Sequence, residues 1–182
     1  MPRRSLSIPI LIAIMVVLMD QATKLLVMEN FIEGESKSIL GELLQFQFIY
    51  NEGGAMGTRI GPSWVYTVLT IVALALIIRY LVSGKSQNMP TNIALALITG
   101  GAVGNLIDRL RFGKVVDFID MEFPDIEFLN LYRWYTYNVA DASISAGLFI
   151  FVLCLLTKEK KRENPESLPD TMEIPETKGD RS

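Results

Sequence analysis

The chain contains no histidine and a single cysteine. The missing imidazole excludes histidine-based metal sites and every nucleophile that depends on a histidine base, Ser-His and Cys-His pairs included. Cys154 has no second cysteine to bond and no basic neighbour in its apolar run, so it reads as a membrane-buried side chain. Charge is scarce as well: Asp, Glu, Lys and Arg make up 20% of the residues, and the net charge is only -3. Such a balance points neither to a nucleic-acid partner nor to an acidic substrate. Chemistry in this chain must come from carboxylates, hydroxyls, lysines or arginines.

What is plentiful is apolar surface, since half of the 182 residues are hydrophobic. The chain is too apolar for an ordinary soluble domain and too short for two. A hydrocarbon core of about 30 Å needs roughly 20 apolar helical residues. Four stretches qualify, giving expected spans at about 6–28, 62–82, 91–110 and 139–157, with external loops 29–61 and 111–138, all within one unit covering 1–157. Arg3-Arg4 before the first apolar run suits a secretory signal, but no small-x-small cleavage site follows, so the run counts as a span. Residues 158–182 are charged and contain prolines, the composition of a disordered tail.

The first external loop carries the alternation Leu44-Gln45-Phe46-Gln47-Phe48, which predicts a half-buried strand ending in the glycine-rich turn Asn51-Glu52-Gly53-Gly54. The expected fold is therefore an all-α polytopic membrane protein with four transmembrane helices and a small extracytoplasmic β-containing subdomain. Lysines and arginines at 3, 4, 79, 85, 158, 160, 161 and 162 flank one side, which predicts cytoplasmic N- and C-termini. Arg59, Arg109, Arg111, Lys114 and Arg133 fall on the other side and call for a local reason.

Polar residues interrupt the spans at one level. At about 1.5 Å per helical residue, the uncharged run Ala142–Thr157 covers about 24 Å, which brings Asp141 just inside the outer edge. Asp108 arrives there from the opposite direction, and Asp20 lies in the outer half of the first span. Ionisable groups at such depth cost about 2.5–3.5 kcal/mol each on insertion scales and usually face a bundle interior. Asp20 and Lys24 stand at i and i+4 and can pair. Gly100 and Gly104 form a small-xxx-small face. Asn105, Asp108 and Arg109 share a helix face, which predicts an Asp108-Arg109 network that positions the next loop, and Asn138 shares a face with Asp141. Spacing alone leaves Asp108, Asp117, Asp120 and Asp125 all open as partners of Asp141.

Taken in order, Asp20-Gln21-x-Thr23-Lys24, Asn51-x-Gly53-x-Ala55-x-Gly57, Gly104-Asn105-x-x-Asp108-Arg109, Val115-Val116-Asp117-Phe118 and Asn138-x-Ala140-Asp141 closely resemble bacterial lipoprotein signal peptidase, also called signal peptidase II. The resemblance implies a membrane-embedded aspartic endopeptidase with Asp117 and Asp141 as its catalytic pair. Asp20, Lys24, Asn51, Gly57, Asn105, Asp108, Arg109, Asn138 and Ala140 match the family's supporting positions. It implies prolipoproteins bearing a diacylglyceryl cysteine as substrates, cleavage on the N-terminal side of that cysteine and residence among the lipids of the bacterial inner membrane; a monomer with neither cofactor nor metal is expected. Gly54 and Met56 stand where the family more often has alanine and phenylalanine. Two other classes compete on the residues alone: a Ser-Lys protease built on Lys24 with Ser63 or Ser143, and a small proton-coupled transporter.

Overall fold

The computed structural model describes residues 7–41, 43–54, 58, 61–83, 88–122 and 135–163, the last six of these by backbone alone. Four helices are long and apolar enough to cross a membrane. They are α1 (Ser7–Asn30), α2 (Ser63–Val82), α3 (Met89–Phe112) and α4 (Val139–Glu163). Three strands complete the described chain: β1 (Ser36–Leu40), β2 (Leu44–Asn51) and β3 (Val115–Met121).

Helix α3 is the hub, packing against α1, α2 and α4. Small residues make this possible. A side chain at Gly100 would meet the Ala13 carbonyl of α1 at 2.8 Å, and one at Gly101 would overlap the Ala140 carbonyl of α4. The expected Gly100/Gly104 face is thus joined by Gly101, turned towards a different helix. Large apolar side chains such as Leu11, Leu18, Leu76, Phe149 and Leu156 remain exposed on the outer surfaces of the bundle. In water that surface would be a liability; against lipid tails it is matched.

Helix α3 starts earlier than the expected residue 91. The Asn88 side chain accepts a hydrogen bond from the Thr91 N–H, and Pro90 sits in the first turn, where its missing N–H would have had no partner. It ends at Gly113, whose φ of 72° is the left-handed conformation that closes helices. Helix α4 likewise runs past the expected end of the fourth span to Glu163, although only Val139–Thr157 has the hydropathy of a span. Lys and Glu prolong a nucleated helix without needing apolar surroundings, so the predicted tail opens with helix. Residues 164–182 lie outside the described residues.

The predicted strand is β2. It is the central member of an antiparallel sheet of order β1-β2-β3, and a register irregularity between Phe46 and Ile49 sets Ile49 opposite Asp117. Val27 near the end of α1 packs with Phe48, Val116 and Phe118, so the sheet rests on the end of the helix bundle. Strand β3 falls within the segment 111–138 that the sequence predicts as an external loop. It is buried on both faces, and its run Val115–Met121 consequently lacks the alternation that marks a half-exposed strand.

Candidate active site

The site begins with a buried cation. Lys24 of α1 is 1% exposed and lies 2.9 Å from Asp20 Oδ2 and 2.8 Å from Asp108 Oδ2. It also donates to Asn105 Oδ1 at 3.0 Å. The Asp20-Lys24 pair is the one expected from i, i+4 spacing. Asp108 differs from expectation: its oxygens are taken by Lys24, by Gln21 Nε2 at 3.0 Å and by the backbone N–H of Val116 at 3.1 Å. It positions the following strand directly, through the Val116 N–H, and its cationic partner is Lys24 and not Arg109, because adjacent residues on a helix diverge by about 100°. Asp20 Oδ1 accepts from the Ala140 N–H at 2.9 Å and thereby anchors the start of α4. Gly104 makes room for this carboxylate, since a Cβ there would lie 2.5 Å from Asp20 Oδ2.

Two asparagines connect this base to two further aspartates. Asn105 donates to Asp141 Oδ1 at 2.7 Å while its oxygen accepts from Lys24 and from Asn138 Nδ2. Asn138, fully buried, directs its amide at Asp117 Oδ1 at 2.7 Å, with longer approaches of 3.1 Å to Asn105 Oδ1 and 3.2 Å to the Val116 carbonyl. Its oxygen accepts from the Asp141 N–H at 2.9 Å, the hydrogen bond of a helix N-cap. Asn51, the last residue of β2, donates to Asp117 Oδ2 at 2.9 Å. Asp117 is 1% exposed in the middle of β3. Burial, and next the negative charge of Asp141, push its carboxyl up from the ordinary 3.8 to about 7, against the opposing hydrogen bonds from Asn51 and Asn138 and the charge of Lys24.

Of the cations expected on this side, Arg109 has a local reason, while Arg59 and Arg133 lie outside the described residues. It donates to the Gly53 carbonyl at 3.2 Å, lies 5.8 Å from the centroid of the Tyr66 ring, and faces the charges of Asp141, Asp117 and Asp108. Gly57, expected as a supporting residue, and Met56 lie outside the described residues. All the other expected residues converge on this cluster. Two members went unselected in the sequence. Gln21 stood within the first motif, and its signal was an amide in an apolar span beside Asp20. Tyr66 is a buried aromatic of α2 whose hydroxyl donates to the Thr58 carbonyl at 2.6 Å. Its signal was weaker: a polar-tipped ring one turn into an otherwise apolar helix.

The arrangement matches known proteins along most of its length. A family model described as Signal peptidase (SPase) II matches residues 12–157. The chain belongs to the signal peptidase II family. Lipoprotein signal peptidase of Syntrophus aciditrophicus is 34% identical over 153 residues, covering 81% of this chain and 91% of that one. The protein of the same description from Halothermothrix orenii is 35% identical over 150 residues, covering 82% and 96%. Two solved structures described as bacterial membrane enzymes superpose with TM-scores of 0.77 and 0.71, at 29% and 31% identity. The first covers 91% of this chain and 95% of its own, the second 82% and 93%. Membership in the signal peptidase II family makes this a multi-pass membrane peptidase, and leaves the transporter alternative without support.

Proposed function

We propose that the chain is an aspartic endopeptidase that removes signal peptides from bacterial prolipoproteins, cutting on the N-terminal side of the diacylglyceryl cysteine with Asp117 and Asp141 as the catalytic pair. The observation that carries this reading is the shared scaffold of the two carboxylates: Asn138 donates to Asp117 and accepts from the Asp141 N–H, while Asn105 donates to Asp141. Burial first, and next the charge of Asp141, raise the Asp117 carboxyl to about 7, which suits two carboxyls that hold one proton between them. In a chain without histidine, such a pair is a self-sufficient acid and base.

In this mechanism the ionised member takes a proton from a water as it attacks the scissile carbonyl. The protonated member donates to the developing oxyanion and the pair then returns a proton to the leaving amine. Asp20, Lys24, Asp108 and Gln21 form the base on which the pair is built, and Asn51, Asn105 and Asn138 orient it. Asp141 opens α4 and Asp117 lies in the sheet at the end of the bundle, a level that suits a bond between a signal-peptide helix and a lipid-anchored cysteine. Following the charge bias, that level is the outer face of the inner membrane, with both termini cytoplasmic.

The test uses purified full-length protein and a prolipoprotein bearing a diacylglyceryl cysteine. Asp117→Asn and Asp141→Asn should each lower turnover by at least roughly 10²–10⁴-fold, with the melting temperature in detergent showing a folded protein. Near-normal turnover in either variant, or inactivation of the wild type by a serine reagent, would remove the pair from its role.

A further inference from the structure

Gly53 and Gly54, which follow Asn51, each have identifiable partners for both backbone groups. The Gly53 N–H donates to Asn51 Oδ1 at 2.8 Å, and the Gly53 carbonyl accepts from Arg109. The Gly54 N–H donates to the Thr58 carbonyl at 2.9 Å, and the Gly54 carbonyl accepts from Asn51 Nδ2 at 3.4 Å. The Thr58 carbonyl accepts a second, shorter hydrogen bond from the Tyr66 hydroxyl, at 2.6 Å. Tyr66 also closes the turn sterically. A Cβ on Gly54 would stand 2.6 Å from the ring carbon Cε1, so the glycine is what lets ring and turn meet.

These contacts form a continuous path from α2 to the candidate dyad, from Tyr66 through Thr58 and Gly54 to Asn51, and from Asn51 to Asp117 Oδ2 at 2.9 Å. The Tyr66 ring centroid also lies 5.8 Å from the guanidinium of Arg109, which donates to the Gly53 carbonyl. We infer that Tyr66 is a positioning residue for peptide cleavage, fixing through the Thr58 carbonyl and the Gly54 backbone the angle at which Asn51 presents its amide to Asp117. The inference rests on the Asp117-Asp141 reading, and it concerns a residue that would touch neither water nor scissile bond.

A loosened Asn51 amide stabilises the ionised form of Asp117 less, so the carboxyl should keep its proton to higher pH. The other groups facing Asp117 are Asp141 and Asn138 at the start of α4, Lys24 of α1 and Arg109 of α3, and with the Tyr66 ring retained beside Arg109 all of them should keep their positions. The shift can therefore be attributed to the turn.

The experiment compares wild type with Tyr66→Phe, which keeps the ring against Gly54 and removes only the hydroxyl. With a diacylglyceryl-cysteine prolipoprotein as substrate, kcat should fall roughly two- to tenfold, the scale of one hydrogen bond. KM should stay within about twofold, and the alkaline limb of the kcat/KM profile should move up by about half a unit. Unchanged kcat and an unchanged alkaline limb would overturn the inference. So would a Tyr66→Phe chain that fails to fold, since a hydroxyl needed for folding is structural. Failure of the dyad itself is read separately, from activity surviving in Asp117→Asn, whatever Tyr66→Phe does.

Discussion

Asn138 donates its amide to Asp117 at 2.7 Å while its carbonyl oxygen caps the N–H of Asp141 at 2.9 Å. One side chain thus fixes strand β3 relative to the first turn of α4. The two functions can be separated by substitution. Serine keeps an oxygen suited to capping but lacks the amide donor, so Asn138→Ser should retain the cap and lose roughly 1–3 kcal/mol for the buried acceptors left without that donor. Turnover of the folded variant should fall at least about tenfold. A loss of turnover no larger than the loss of folded protein would instead make Asn138 a structural cap only.

Asp117 predicts how stability depends on pH. Its carboxyl titrates near 7 in the fold and near 3.8 when unconstrained, so between those values the folded state retains a proton that the unfolded state has lost. The stabilising effect is complete below about pH 3.8 and disappears as pH rises through about 7. The span of about three units sets an upper limit of about 4 kcal/mol. Thermal unfolding in detergent should show the melting temperature falling between pH 5 and pH 8, with a shallower fall in Asp117→Asn. Equal slopes in the two proteins would place the titration elsewhere.

Lys24 is the common partner of Asp20 and Asp108, and all three are buried. Removing the cation leaves two carboxylates without a counter-charge, so Lys24→Met should cost roughly 3–5 kcal/mol. Lys24→Arg should not restore it, because a planar fork does not fit a pocket shaped for a point charge with three acceptors. Chemical denaturation of the detergent-solubilised protein measures both, and wild-type stability in the Met variant would show that the carboxylates are held without the cation.

Gly104 offers a steric test of the same region. A methyl group there would stand 2.5 Å from Asp20 Oδ2 and 3.4 Å from Ala140 Cβ, so either the carboxylate or α4 must move. Gly104→Ala should lose roughly 1–3 kcal/mol and reduce activity along with it. Gly61→Ala, whose methyl would meet, among the described residues, only the Val65 side chain at ordinary distance, serves as the control and should be near neutral.

Local chemistry wrote several features directly into the sequence. The four spans follow from run length against bilayer thickness, the Asp20-Lys24 pair from the helical repeat, and strand β2 from its alternation. The absence of histidine confined the chemistry to other groups. Each of these depends on residues within a few positions of one another, or on composition alone.

Tertiary structure alone decided the rest. Strand β3 is covered on both faces, so no periodicity marked Asp117 as lying in a strand, and only the ordered family motifs singled it out. That Asp108 meets Lys24 and Gln21, that Gly101 faces α4 while Gly100 faces α1, and that Tyr66 reaches the turn carrying Asn51 all depend on how helices far apart in the chain are set side by side. A helical or strand repeat reports which residues share a face of their own element. What covers that face is settled only when the elements pack.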